Sequence, residues 1–288
     1  MESVKIGIIG GSGLYEMSGA KIINKKWVGT PFGYPSDKIV IAKYGDHHFA
    51  FLPRHGVGHR LNPTEVNNRA NIYAMKLLGV ECLIGVSACG SLREELKPRD
   101  IVICDQLVDY TKRRNTTFFD NGIVAHLPMA DPYCPRISKM LFDASLEEGL
   151  SVHYGGTYIC IEGPQFSTRA ESGIYRKLGI DVIGMTNAPE AKLAREAGIC
   201  YAIMACVTDY DVWYEGEQDV TNEMVIENLM KNVENVQKVL KRVIPRLYKS
   251  ERNCKCPEYI KSAIATNKGF IPADKKGMLG IILKDIDK

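Results

Sequence analysis

The feature that most constrains the fold is an alternation, kept up over most of the chain, of short β-branched apolar runs with longer segments of helical period. Runs at 4–9, 39–42, 48–52, 82–86, 101–104, 157–161, 181–183 and 200–207 have the length and composition of buried strands. Between them, residues 64–78 place Val66, Ala70, Tyr73, Leu77 and Leu78 at helical spacing, after Pro63 and before Gly79. Segments 135–146, 168–178, 189–197 and 222–247 read alike. Interleaving of this kind predicts an α/β fold: one domain with a central mixed sheet flanked by helices and functional loops beyond the strand ends. Residues 250–288 are more polar and are expected to be an extension packing back on a domain spanning 1–249.

Charge and composition exclude several classes of partner. Lys and Arg number 37 against 34 Asp and Glu, a net charge of +3, which is too little for a duplex-binding surface. No run approaches the roughly 20 apolar residues that cross a bilayer. The start, Met-Glu-Ser-Val-Lys-Ile-Gly, lacks the basic and apolar regions of a signal peptide, so a cytoplasmic location is expected. Nine cysteines, an odd count, are expected to be mostly reduced core residues. Cys254 and Cys256, separated only by Lys255, leave open a bond to each other, a bond to Cys200 or Cys206, or free thiols. Free thiols are the expectation.

Several motifs fall short of a known chemistry. Gly10-Gly11-Ser12-Gly13 after the first strand has the wrong spacing for Gly-x-Gly-x-x-Gly, so no nicotinamide cofactor is expected. The same loop and Gly85-Val86-Ser87-Ala88-Cys89 each miss the nucleophile elbow Gly-x-Ser-x-Gly at one position. His55 and His59 are flanked by Gly56 and Gly58 with no carboxylate between them, a poor frame for zinc. A hydrolase using Ser87 or Cys89 with His55 is one rival reading, and a non-catalytic nucleotide-binding module is another. Lys112, Arg113 and Arg114 read as a solvated loop, and Tyr110, Tyr210 and Trp213 as core or rim aromatics.

Two constellations carry chemistry. The strand-end segments holding Ser12, Arg54 with His55, Ser87 with Ala88, and Met185 with Thr186 combine hydroxyls, a guanidinium and exposed amides, the donors an oxyanion needs. Thr208-Asp209-Tyr210-Asp211 follows the most apolar run of the C-terminal half. If both carboxylates enter one pocket, one is held protonated and serves as a donor while the other accepts.

Taken in order, Ile-Ile-Gly-Gly-Ser-Gly, Pro-Arg-His-Gly, Asn-Arg-Ala-Asn-Ile-Tyr-Ala, Ser-Ala-Cys-Gly-Ser-Leu-Arg-Glu-Glu, Ile-Glu-Gly-Pro-Gln-Phe-Ser-Thr-Arg-Ala-Glu, Gly-Met-Thr-Asn-Ala-Pro-Glu and Thr-Asp-Tyr-Asp-Val-Trp closely resemble the methylthioadenosine phosphorylases of the trimeric purine nucleoside phosphorylase family. The resemblance spans residues 6–245. It implies the nucleoside phosphorylase fold, a homotrimer or homohexamer, neither metal nor cofactor, and inorganic phosphate as co-substrate.

Carried over by position, the resemblance assigns Ser12, Arg54, His55, Ser87, Ala88 and Thr186 to phosphate and Met185 to the ribose. It assigns Phe166 and Ser167 to the base, and Asp209 and Asp211 to the N6 and N7 edge of adenine. His126, lent by a neighbouring subunit, and Val225 and Ile226 would line the 5'-methylthio end. Asp211, protonated, would donate to N7 while Asp209 accepts from the 6-amino group, which favours 6-aminopurines. Asn187 and Asn222 depart from the family pattern. They leave open a broader purine nucleoside phosphorylase that takes adenosine or 6-oxopurine nucleosides.

Overall fold

Eleven strands and seven helices follow one another along the chain in the computed structural model, which describes residues 4–11, 14, 17–214 and 222–284, the side chains of 222–226 excepted. The strands are β1 (Ile6–Gly10), β2 (Ala20–Lys26), β3 (Ile39–Tyr44), β4 (His47–Pro53), β5 (Cys82–Ser91), β6 (Ile101–Ile103), β7 (Gln106–Tyr110), β8 (Val152–Tyr154), β9 (Thr157–Ile161), β10 (Val182–Gly184) and β11 (Cys200–Asp209). The helices are α1 (Asn68–Leu77), α2 (Pro135–Glu147), α3 (Arg169–Lys177), α4 (Asn187–Glu196), α5 (Asn222–Lys249), α6 (Ala273–Met278) and α7 (Gly280–Leu283). All eleven strands join one mixed sheet, as the alternating pattern predicts.

Helices cover both faces because successive strand residues point to opposite sides. Ile9, Leu83 and Ile203 face one way, against Ile72 and Met75 of α1 and Ala191 and Leu193 of α4. Ile8, Ile84 and Met204 face the other, against Ile137 and Leu141 of α2 and Val236, Leu240 and Ile244 of α5. Every residue of β11 is buried, which its unbroken apolar run anticipates. Ile260, Ala263, Leu279 and Ile282 join the first of these layers, and an isolated bridge pairs Ala125 with Ile264.

Local chemistry sets the boundaries that periodicity misplaces. Helix α1 starts at Asn68 rather than 64 because the Asn67 side chain caps it, accepting from the Ala70 amide at 3.2 Å. The residues before it are drawn into a turn by Asn62, whose side chain accepts from the Thr64 amide at 2.9 Å. Strands β2 and β7 escape the apolar-run criterion because their residues are largely exposed or half-buried, and β8 because it has only three residues. Helix α3 opens with a reciprocal capping box between Thr168 and Glu171.

The sheet forks at β5, and the fork places the site. One edge of β5 pairs with β11 along nearly its whole length. The other edge pairs with β1 only as far as Gly85 and with β10 only from Gly90. Among the described residues, 86–89 therefore present one edge to no strand, at the C-terminal ends of β1 and β4, where α/β sheets open a crevice.

Gly85 sits at the start of this gap. A Cβ there would collide with the Tyr201 hydroxyl and lie 2.9 Å from Ile203 Cδ1. Since Tyr201 is fully engaged in the core, Gly85→Ala is expected to cost about 1–3 kcal/mol in urea unfolding through overpacking. A change below a few tenths of a kcal/mol would show that the core yields freely at this point.

Candidate active site

Arg54 directly follows β4, and its amide donates to Gly10 O at the end of β1 at 2.9 Å. Its side chain is 3% exposed. A guanidinium so buried needs a counter-charge, which Glu190 of α4 supplies: Nε donates to Oε1, and Nη2 donates to Oε2 at 3.1 Å. Nη2 also donates to Ile9 O at 3.2 Å, and Nη1 to Val86 O at 2.8 Å, on the open edge of β5. These bonds commit four of the five guanidinium N–H groups and leave one on Nη1. The Tyr201 hydroxyl steadies the carboxylate, donating to Glu190 Oε2 at 2.7 Å. Burial opposes the arginine charge, but the pairing with Glu190 outweighs it and raises the Arg54 pKa.

Around Arg54 lies a narrow cleft lined also by His55, Asn68, Arg114, Met185 and Thr186. Thr186 holds the N-cap position of α4 yet makes no capping bond with its side chain. Its hydroxyl instead lies 3.0 Å from Ser87 Oγ, which in turn is 3.1 Å from the Tyr158 hydroxyl. The start of α4 beside this pocket brings a positive dipole end, which favours an anion, while its first amides, those of Asn187 and Ala188, are engaged by the Cys160 sulfur.

His55 Nδ1 is 2.9 Å from Leu61 O, so this nitrogen carries the proton and the neutral ring presents Nε2 as an acceptor. Burial, with Arg54 close by, holds the His55 pKa down to about 4. The ring stacks on that of His59 at 4.4 Å between centroids.

Arg114 corrects the sequence-based expectation of a solvated loop. Its side chain is 2% exposed and donates to the carbonyls of Met185, Ile161 and Glu162. The Glu162 carboxylate also accepts from the amides of Lys112 and Arg113 and from the Thr64 hydroxyl. Burial works against this carboxylate's charge, but these donors prevail and hold its pKa down to about 2.

The carboxylates sit against Gly90, four residues beyond Val86 along β5, where β11 ends. Asp209 is 6% exposed at the end of β11, opposite Gly90, where a register shift re-aims the strand. Its Oδ2 accepts from the Thr208 hydroxyl at 2.7 Å and its Oδ1 from the Asp211 amide at 2.8 Å. Asp211 adopts φ +53°, uncommon for a non-glycine residue, and its buried Oδ2 has no hydrogen-bond partner. Burial raises its pKa. Gly90 makes room for both, since a Cβ there would lie 2.9 Å from Asp209 Oδ1 and 3.3 Å from Asp211 Cβ.

Of the remaining predicted residues, Ala88 lies half-buried on the open edge of β5. Phe166 is 46% exposed, and Ser167 is buried with its hydroxyl unpartnered, both in the loop before α3. His126 is exposed, and its amide donates to Ala263 O at 2.8 Å. Ser12 and the side chains of Asn222, Val225 and Ile226 lie outside the described residues. Asn187 is fully buried and donates to the Tyr133 hydroxyl beneath α4, away from the residues that line the pocket.

A hydrolase is disfavoured on geometry. The Ser87 hydroxyl bonds to Ala88 O, Tyr158 and Thr186 rather than to His55, whose Nδ1 is taken by Leu61. Cys89 is buried, and desolvation drives its thiol pKa well up, away from a nucleophilic thiolate. Sequence reasoning missed Glu190, Tyr201 and Arg114. Glu190 alone had a visible signal: an acid in the first turn of an alanine-rich helix packed on the sheet has to meet a cation.

The family model of the phosphorylase superfamily matches residues 5–245. The chain belongs to the phosphorylase superfamily. Among superfamily relatives, the S-methyl-5'-thioadenosine phosphorylase of Geobacter sulfurreducens is 53% identical over 98% of this chain and 99% of that protein. A methylthioadenosine phosphorylase from an Antarctic soil metagenomic library superposes with a TM-score of 0.93 at 48% identity, covering 98% of this chain and 100% of its own. The methylthioadenosine phosphorylase of Schistosoma mansoni in complex with adenine gives 0.86 at 37% identity, over 91% and 99% of the two chains.

Two outcomes test this superfamily site. Glu190→Ala strands a buried guanidinium and is expected to cost about 3–5 kcal/mol in urea unfolding, whereas a loss below 1 kcal/mol would mean that water or phosphate replaces the carboxylate without cost. His55 is expected to titrate by NMR near pH 4 and to stay neutral across neutral pH. Because its pKa is lower folded than unfolded, its contribution to stability is complete above about pH 6.5 and is lost as the pH falls towards 4. A His55 midpoint near 6.5 in the folded protein would contradict the neutral assignment.

Proposed function

We infer that the protein cleaves the N-glycosidic bond of 5'-methylthioadenosine with inorganic phosphate, giving adenine and 5-methylthioribose 1-phosphate. The observation that carries this reading is that Arg54 bonds to Val86 on the open edge of β5 while Asp209 and Asp211 lie against Gly90, further along the same strand. Four residues of strand separate the two points by roughly 13 Å, so one extended ligand meets both.

Breaking a glycosidic bond develops positive charge on the sugar and negative charge on the departing purine. Phosphate occupies the Arg54 end, held by Arg54, Thr186, Ser87 and the amide of Ala88, with Ser12 completing the cradle. His55, through Nε2, accepts from a protonated phosphate oxygen. The phosphate oxygen bonds to C1' as the C1'–N9 bond breaks and its electron pair passes to the purine. Asp211, whose pKa is raised by burial, delivers a proton to N7, and Asp209 accepts from the 6-amino group. Met185 lies beneath the ribose, and Phe166 and Ser167 contact the base. In a homotrimer or homohexamer, the exposed His126 of one subunit reaches the 5'-methylthio end of its neighbour's nucleoside, which Val225 and Ile226 also line. The reaction calls for neither metal nor organic cofactor, and the enzyme acts in the cytoplasm on small molecules rather than nucleic acid or membranes.

Turnover of methylthioadenosine is therefore expected to require phosphate, and inosine to be a poor substrate because its 6-oxo group meets the lone pairs of Asp209. Phosphate-independent release of adenine, or a preference for inosine, would refute this reading. Asp211→Ala is expected to lower kcat/KM by about 10²–10⁴, or roughly 3–5 kcal/mol. Asp211→Asn, which keeps an N–H for N7, is expected to recover part of that loss. Near-normal turnover by a folded Asp211→Ala variant would remove the proton-donor role.

A further inference from the structure

Four cysteines that are far apart in the sequence converge at the end of the sheet where β11 begins. Cys134 is the residue before α2, Cys200 opens β11, and Cys254 and Cys256 lie just beyond α5. All four sulfurs lie within 4.8 Å of one another, and Cys200 Sγ is 3.2 Å from Cys254 Sγ. Cys134 and Cys200 are fully buried and Cys256 is 5% exposed. Among the described residues this is the one cluster of three or more metal-ligating side chains drawn so close.

We propose that Cys134, Cys200, Cys254 and Cys256 form a closed four-sulfur site for a zinc-class divalent cation. Thiolates about 2.3 Å from a tetrahedral zinc ion sit about 3.8 Å from each other, so the observed cluster needs only small movements of the sulfurs. Two separate disulfides would need closeness only within each pair, whereas here all four sulfurs are mutual neighbours. The surroundings suit the net negative charge of four thiolates on a dication. Arg252 Nε donates to Cys200 Sγ at 3.2 Å, and Arg136 Nη2 donates to the neighbouring Cys82 Sγ at 3.1 Å. N–H donors to ligand sulfur are the outer-shell partners that orient and stabilise metal thiolates.

With four protein ligands the ion has no open position, so its work is structural. It would fasten the segment after α5 to the foot of β11, the strand whose other end carries Asp209. The inference rests on the cysteine geometry alone and stands whether or not the phosphorylase reading holds. Only one residue separates Cys254 from Cys256, fewer than in common zinc motifs. The site is therefore legible only once the fold brings Cys134 and Cys200 to the same place.

The test is the metal content of the untagged full chain, made under reducing conditions with zinc in the medium and passed through gel filtration. One zinc per chain is expected by plasma mass spectrometry. Cobalt exchanged for it should give the strong visible bands and near-ultraviolet charge-transfer bands of a tetrahedral sulfur site. The Cys254→Ser/Cys256→Ser double variant should lose the metal and melt at a lower temperature while still cleaving methylthioadenosine. A metal-free wild-type chain would overturn the proposal, whether its four thiols all react in denaturant or peptide mapping finds them joined as two disulfides. A cobalt spectrum lacking thiolate bands would also overturn it.

Discussion

The buried contact between Arg54 and Glu190 is the interaction on which the rest of the site depends. An arginine 3% exposed survives only with its charge matched and its donors occupied, and Glu190, Val86 and Ile9 meet both needs. Those partners come from α4, β5 and β1, so the ion pair locks three elements around the mouth of the sheet. Tyr201 extends the lock into β11, and Gly85 gives Tyr201 the space to reach Glu190. Among the described residues, what remains for a ligand is one guanidinium N–H, the Ser87 and Thr186 hydroxyls, the positive end of the α4 dipole and a neutral imidazole. On the proposed reading the arrangement would recognise an anion mainly through fixed dipoles, because both arginines near the pocket are already paired to carboxylates.

The forked sheet turns that local lock into a reaction geometry. Because β1 releases β5 at Gly85 and β10 takes it up only at Gly90, a stretch of rigid strand is left open without exposing a loop. Rigid strands hold catalytic groups more closely than loops do, and a displacement reaction depends on that precision. The two ends differ electrostatically in the sense the chemistry asks for. One end gathers a guanidinium and hydroxyls, and the other keeps a carboxyl group buried with its pKa raised, as the proposed oxyanion and proton-donor roles require.

Much of the fold was legible from residue order, because buried strands such as β1, β5 and β11 carry unbroken apolar runs. Strands β2 and β7 were not, since their side chains are half in water and their pairing is decided by neighbours distant in sequence. At the site, Arg54, His55, Ser87, Thr186, Asp209 and Asp211 all stood out as polar residues at strand ends. Resemblance to a known family, not spacing, supplied their individual roles. Glu190 and Arg114 were passed over because their partners lie 136 and 48 residues away, at Arg54 and Glu162. The cysteine cluster was hidden for the same reason: Cys134 and Cys200 look like ordinary core thiols until the fold sets them beside Cys254 and Cys256.

The central claim is that a single ligand spans the end of β5 from Val86 to Gly90, with phosphate at Arg54 and purine at the aspartates. A crystal structure with phosphate and an uncleavable 5'-methylthio nucleoside analogue tests it most directly. The account predicts phosphate within hydrogen-bond distance of Arg54 and Thr186, and the N7 and N6 edge of the base on Asp211 and Asp209. Phosphate bound away from Arg54, or a base turned from the two carboxylates, would contradict it.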